Sequence, residues 1–312
     1  MSHLCPINLS LLGPHIVDSD YRFDVYRGDL ENAQAPGNKW HKLQYHLGAA
    51  TKQNADVIAT FGGPFSNHLH AFAKTLKNLP FEAVAVVRGE LHPQLTPTLQ
   101  DMVDDGVNLW PSSRSDYRLG TSSYVADAIN TYYRNVYWIP EGGGGILGAR
   151  GCHDWAEKIS HLVGDYDAWV VSAGTGTTAA GLLSYNETPD LHVFSALKGA
   201  QAQRQQIIEQ AYLLTNGLVS QRHLAEKLFF HADCHEGGYA KHSQTLVRFM
   251  RDFAMSNPDC LLDPIYTCKS MFAVMSAMKI GTWPYRRTLF IHTGGMQGWR
   301  GYSSDRNPFV LS

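Results

Sequence analysis

An excess of charge of either sign is missing from this chain. Its 26 Lys and Arg nearly offset 28 Asp and Glu, leaving a formal charge of −2 and a pI near 6.7. There is thus no electrostatic case for nucleic acid or an anionic membrane surface as a partner. Charged residues are only 17% of the 312, below the roughly 25% usual for soluble domains. The hydrophobic share is 44%, which argues against disorder and allows a sizeable core. No stretch approaches the roughly 18 consecutive apolar residues of a spanning helix. Residues 1–12 have no basic stretch leading into a long apolar run, so no signal peptide is expected. Cysteine is scarce: Cys5, Cys152, Cys234, Cys260 and Cys268 are odd in number and form no CxxC. That excludes a disulfide framework and makes a reducing cytoplasm the default. The length suits about two ordinary domains or one large α/β unit.

Short apolar runs alternate with helical patterns. Strands are expected at Asp56–Thr60, Glu82–Arg88, Val107–Trp110, Val136–Ile139, Ala168–Ala173, Leu191–Ala196, Leu228–His231 and Thr288–His292. Between them, Leu69, Phe72, Ala73 and Leu76 follow the i, i+3, i+4, i+7 spacing of a helix, and Trp40, Leu43 and Leu47 follow it in part. Such alternation implies βαβ units and largely parallel sheets, whose ligands bind beyond the carboxyl ends of the strands. Four of those ends carry Gly or Ser/Thr clusters: Gly62 to His68, Gly142 to Gly148, Gly174 to Thr178, and Thr293 to Gly295.

Gly174-Thr175-Gly176-Thr177-Thr178 precedes a helical start, so backbone donors, hydroxyls and the positive helix end together suit a phosphate; the plain alternative is a capped helix after a tight turn. There is no Gly-Lys-Ser/Thr, so it is not a P-loop. Residues 143–148 formally match GxGxxG, with Asp165 at a suitable distance, but Pro140 and Glu141 separate the strand from four consecutive glycines. A nicotinamide or flavin site there is a weak reading. Lys39 and Lys42 share a helix face, which leaves open a solvated surface or a Schiff-base lysine. His231, Asp233, Cys234, His235 and His242 match no standard zinc spacing, so no metal is expected. Ser66 with His68 or His70 lacks the GxSxG of a hydrolase.

Seven blocks in register carry a resemblance: GNKWHKL (37–43), TFGGPFSNH (60–68), PEGGGGILGARG (140–151), SAGTGTTAAGL (172–182), GGYAK (237–241), DPIYTCKSM (263–271) and FIHTGGMQGWRGY (290–302). Together they span most of the chain. It resembles the pyridoxal-phosphate enzymes of fold type II, in the D-cysteine desulfhydrase and 1-aminocyclopropane-1-carboxylate (ACC) deaminase group. The resemblance implies a tryptophan synthase β-like α/β fold with two open, twisted, mostly parallel sheets flanked by helices. Residues 1–43 with 138–312 would form the large cofactor-binding domain, and 44–137 a small inserted one, in a homodimer.

The resemblance also implies roles. Lys39 corresponds to the Schiff-base lysine that moves the Cα proton, Asn67 to the partner of the cofactor's phenolic oxygen, and Ser66 to a contact of the substrate carboxylate or an aid to proton transfer. Gly174, Thr175, Gly176, Thr177 and Thr178 correspond to the phosphate cradle, Tyr239 and Tyr266 to two active-site tyrosines, and Thr267 to the residue facing the pyridine nitrogen. ACC deaminases typically carry Glu and Leu where this chain has Thr267 and Thr293, whereas desulfhydrase-like members carry small hydroxyl residues. The implied activity is α,β-elimination of D-cysteine, or a related D-amino acid, to pyruvate, ammonia and sulfide. ACC deamination, an NAD-dependent oxidoreductase of Rossmann type and a non-catalytic amino-acid-binding relative are the alternatives. Phe65 stands where the group usually has Gln, His41 where it has Arg, and Cys268 where it has Gly; these departures bear on the substrate more than on the cofactor.

Overall fold

The computed structural model describes residues 3–17, 20–91 and 94–302. Ten strands run in chain order: β1 (Leu4–Pro6), β2 (Arg22–Tyr26), β3 (Val57–Gly62), β4 (Glu82–Arg88), β5 (Asn108–Ser112), β6 (Val136–Ile139), β7 (Ala168–Ala173), β8 (Asp190–Ser195), β9 (Leu228–His231) and β10 (Arg287–Ile291). They form two sheets, ordered β1-β2-β10-β7-β8-β9 and β5-β4-β3-β6. Every pairing between these strands is parallel except that of β1 with β2. The fold is the expected α/β one with two mostly parallel sheets. β3 and β7 are buried along their whole length, as strands covered on both faces must be.

All eight expected strands are present, several shifted by one or two residues, and β1 and β2 are additional. The central residue of β2, Asp24, is buried and breaks the apolar pattern; it accepts from Arg22 Nε at 2.6 Å and from the Tyr166 hydroxyl at 2.6 Å. The expected domain limits at 43/44 and 137/138 fall inside a helix and inside β6, since no linker composition marks them.

Six helices position the site: α1 (Asn38–Lys52), α2 (Asn67–Leu76), α3 (Gly145–Val163), α4 (Thr177–Ser184), α5 (Gln203–Leu214) and α6 (Thr267–Lys279). The apolar stripe of α2, Leu69, Phe72 and Leu76, is buried, each side chain contributing roughly 1.5–3 kcal/mol. The Ser66 hydroxyl caps it by accepting from Leu69 N at 3.3 Å, typically worth about 1 kcal/mol. α3 lies against α1 and α4 at backbone contact. A Cβ on Gly151 would stand 1.9 Å from the His41 carbonyl oxygen, and one on Gly181 2.4 Å from that of Ala149. Among the described residues no helix is long and apolar enough to cross a membrane.

Candidate active site

The carboxyl ends of β3, β4, β6, β7 and the turn after β10 converge on one cavity of about 340 Å3. Lys39, Ser66, Asn67, Gly174, Thr175, Gly176, Thr178, Tyr239, Tyr266 and Thr293 all line it, so segments from 39 to 293 are brought together. Thr177 and Thr267 do not line it. The Thr177 hydroxyl lies 3.3 Å from that of Thr175. The Thr267 hydroxyl donates to Asp263 Oδ2 at 2.5 Å and accepts from Asp263 N at 2.8 Å, which turns it away from the cavity.

Lys39 stands in the first turn of α1. Burial, then the charge of Lys42, hold its amine well below the ordinary lysine value, so the free base is favoured. Lys42 lines the same cavity and donates to the Gly142 carbonyl at 3.3 Å. Burial lowers its pKa too. Behind the pair, His68 is buried with Nε2 2.7 Å from the Thr60 hydroxyl, and burial keeps its imidazole neutral.

The loop from Gly174 to Thr178 turns through Gly176, at φ 83°, into α4. The first N–H groups of a helix have no partner within it. Among the described residues, those of Thr175, Gly176, Thr177, Thr178 and Ala179 meet no acceptor at all. Side chains fix the loop from behind: Gln203 Nε2 donates to the Gly174 carbonyl at 2.5 Å, and Asn38 Nδ2 to the Thr178 hydroxyl at 2.8 Å. Five free donors, pinned around a turn, match a phosphate dianion.

Asn67 opens α2. Its carbonyl oxygen accepts from Gln297 Nε2 at 2.9 Å, which aims its NH2 at another acceptor. Tyr266 packs against Gly174 and meets the Tyr239 ring edge-on, centroids 6.1 Å apart. Burial raises the pKa of both tyrosines, so both stay phenols. Lys269 holds the loop before Tyr239 by donating to the carbonyls of His235 at 2.9 Å and Gly238 at 2.7 Å.

Phe65 does not line the cavity; its ring lies against Gly301. The 143–148 glycines serve helix packing: Gly144 O accepts from His46 Nε2 at 2.9 Å, and a Cβ on Gly148 would meet Gly143 O at 1.9 Å. The Ser66 hydroxyl caps α2, and among the described residues no histidine side chain bonds to it. Among the described residues no three His, Cys, Asp or Glu side chains converge as for a metal.

No protein-family profile matches the chain. Over most of its length, however, it aligns with proteins of established name. A Pyrococcus furiosus protein provisionally named an ACC deaminase is 28% identical over 286 residues, covering 88% of this chain and 85% of that one. The bifunctional D-cysteine desulfhydrase/ACC deaminase of Arabidopsis thaliana is 26% identical, covering 88% and 72%. A crystal structure described as an ACC deaminase homologue superposes with a TM-score of 0.83 at 25% identity, covering 98% and 92%. The chain is a relative of the D-cysteine desulfhydrase and ACC deaminase group. A pyridoxal 5'-phosphate-dependent aspartate racemase, at 16% identity and a TM-score of 0.64, shares the fold. The donor set fits that cofactor: a lysine amine held well below its ordinary pKa, the unpaired N–H groups of 175–179 for the phosphate, and an oriented asparagine NH2 are gathered around one cavity.

Sequence reasoning missed Gln203, Gln297, Lys269 and Arg88. Gln297 and Lys269 stand inside the blocks 290–302 and 263–271, but nothing local shows that they reach Asn67 and the loop before Tyr239; Gln203 stands outside every block, and Arg88, which lines the cavity, is one charged residue at the end of a strand.

Proposed function

We propose that this protein is a pyridoxal-phosphate-dependent lyase that eliminates the β-substituent of D-cysteine or a related D-amino acid. The observation that carries this is Lys39, beside Lys42, opening onto the same cavity as the loop whose N–H groups at 175–179 are unpaired, with burial holding its amine well below the ordinary lysine value. When bound, the cofactor supplies an electron sink for the pair left as a Cα bond breaks. The start of α4 holds its phosphate, and the Asn67 NH2, with its carbonyl already engaged by Gln297, is a donor for a ring oxygen. Lys39 accepts the Cα proton and holds it within the site. Tyr239 and Tyr266 present O–H donors, as does Ser66. D-Cysteine and water then give pyruvate, ammonia and hydrogen sulfide.

Thr293 supports the desulfhydrase reading. Its residue lines the cavity where ACC deaminases of this group typically carry Leu, and its carbonyl accepts from Asn38 N at 3.2 Å, which ties it to the lysine helix. Thr267 is turned to Asp263, whereas Thr293 lines the cavity and would offer a hydroxyl to the cofactor ring. A hydroxyl does not hold a ring nitrogen protonated as a carboxylate can. That suits expulsion of a thiolate, which leaves readily and needs no long-lived carbanion. ACC deamination is the second reading, favoured by the names of the Pyrococcus and Arabidopsis relatives. The five free thiols support a reducing compartment, and we place the enzyme in the cytoplasm as a homodimer.

The test is turnover by the purified holoenzyme. Pyruvate and sulfide are expected from D-cysteine, with little or no 2-oxobutanoate from ACC. Faster turnover of ACC reverses the substrate choice; an absence of visible absorption and of bound cofactor removes the lyase reading altogether.

A further inference from the structure

Beside the active-site cavity lies a second one of about 740 Å3, and Arg88 and Glu141 line both. Its floor is aromatic. Phe61 stacks on Trp138 with centroids 5.0 Å apart and meets Tyr117 edge-on at 5.8 Å. Its polar lining is cationic: Arg88, Arg114 and Arg118 face a single carboxylate, Glu141. The Tyr117 hydroxyl donates to Glu141 Oε1 at 2.7 Å, and burial together with that carboxylate keeps the phenol protonated. Glu141 is therefore engaged by a neutral group and compensates none of the guanidiniums directly. Among the described residues none of the three arginines pairs with a carboxylate.

Arg114 and Arg118 stand one turn apart at the rim and are exposed, which alone describes two ordinary solvated side chains. Arg88 is exposed as well, and what sets it apart is its position between the two cavities. It ends β4 with its guanidinium carbon 5.6 Å from the centre of the Tyr117 ring. Its Nη2 lies 3.2 Å from where a Cβ on Gly63 would stand, so it also leans on the loop that delivers Ser66 and Asn67. One guanidinium thus borders the reaction cavity on one side and the arginine-lined space on the other. Free cysteine is too short to use that space, and an uncompensated guanidinium fork recognises a carboxylate, sulfonate or phosphate.

We propose that the second cavity is a side-chain annex of the active site, in which Arg88, backed by Arg114 and Arg118, receives the anionic end of a β-linked leaving group. The substrate class is then D-amino acids whose β-thioether or β-ester substituent ends in an anion. This deepens the lyase reading and rests on it. With S-(carboxymethyl)-D-cysteine as the probe, the Cα–H and Cβ–S bonds break, the departing thiolate takes up a proton, and water completes pyruvate, ammonia and mercaptoacetate.

The comparison probe is S-(carbamoylmethyl)-D-cysteine, of the same size but uncharged. For the holoenzyme, kcat/KM for the charged probe should exceed that for the neutral one by tenfold or more. In Arg88→Gln the ratio should fall to within about twofold of unity, while Arg88→Lys should keep part of it. Because the ratio is taken within each variant, a general loss of activity or folding cancels. Calorimetric binding of both probes to Lys39→Ala, which does not turn them over, should show the same preference and the same loss on adding Arg88→Gln. Equal kcat/KM and equal binding of the two probes, or a preference that survives Arg88→Gln, overturns the annex. Pyruvate from D-cysteine alone, with neither probe processed or bound, overturns it while the lyase reading stands. A binding preference with no pyruvate from any substrate rejects the lyase reading and, with it, the annex as a leaving-group site.

Discussion

The two walls of the cavity are built differently. On the larger sheet, side chains behind the anion loop are bonded in place: Gln203 Nε2 to Gly174, Asn38 to Thr178, Ser172 to Ser270 at 2.7 Å. On the smaller sheet, Arg88 has no carboxylate among the described residues, and next to it the second cavity stands open. Pinned donors suit a resident group of fixed shape. Unpaired ones suit a ligand that changes from turnover to turnover. In the proposals above, the pinned loop of the larger sheet holds the cofactor phosphate and Arg88 of the smaller sheet receives the anionic end of the substrate.

The largest effect that would break this division is at Lys39. Lys39→Ala should lower D-cysteine turnover by about a thousandfold or more, which is about 4 kcal/mol. Borohydride reduction and peptide mapping should put the pyridoxyl group on Lys39; an adduct on Lys42, which opens onto the same cavity, would reassign the reacting amine. Gly176→Asp comes next. It forces a side chain into a turn at φ 83°, 3.0 Å from Ile207, and sets a carboxylate beside the phosphate. Cofactor affinity, read by fluorescence titration, should fall more than tenfold, that is, by more than about 1.4 kcal/mol. Normal retention in a folded variant would take the phosphate away from this loop.

A smaller effect sharpens the picture at the edge of the larger sheet. His192 Nδ1 lies 3.0 Å from His231 Nε2. Burial, then the neighbouring His231, lowers the His192 pKa to about 3. The folded chain therefore resists a proton that the unfolded chain accepts near pH 6.5. Stability is full above that value and drains as pH falls from about 6.5 toward 3, by at most about 1.4 kcal/mol per pH unit. Melting temperatures of the parent and His192→Gln at pH 7.5 and 5 should show a smaller acid loss in the variant. An unchanged loss would point to other groups.

The smallest effect is expected at Phe65→Gln. The group's usual Gln at this position suggests a partner for the substrate carboxylate, but this ring rests on Gly301 outside the cavity. Activity on D-cysteine should move by less than about threefold. A larger gain would return position 65 to the substrate side of the comparison.

The Gly174–Thr178 turn was legible in local composition, whereas Lys39, Ser66 and Asn67 were singled out by the resemblance, since two lysines on one helix face and a Ser-Asn pair have ordinary readings of their own. β2 was not legible, because Asp24 sits buried in its middle and is made tolerable only by Tyr166 and Arg22. Gln297 reaches Asn67 across 230 positions, and no short-range pattern encodes such a bond. Thr267 was legible as a conspicuous hydroxyl, but its direction depends on Asp263, whose backbone and carboxylate claim it.

The contacts of α3 with α1 and α4 are between backbones, at Gly151 against His41 and Gly181 against Ala149. The helix that carries Lys39 and the helix that begins at the anion loop therefore both meet the same helix at backbone contacts, with the Cys152 side chain and the stacked His41 and Trp155 rings packed beside them. That shared helix thereby spans the distance from Lys39 to the anion loop and acts as its gauge. Mutations in the aliphatic core will loosen the protein without resetting that gauge, whereas a single methyl group at either contact would reset it.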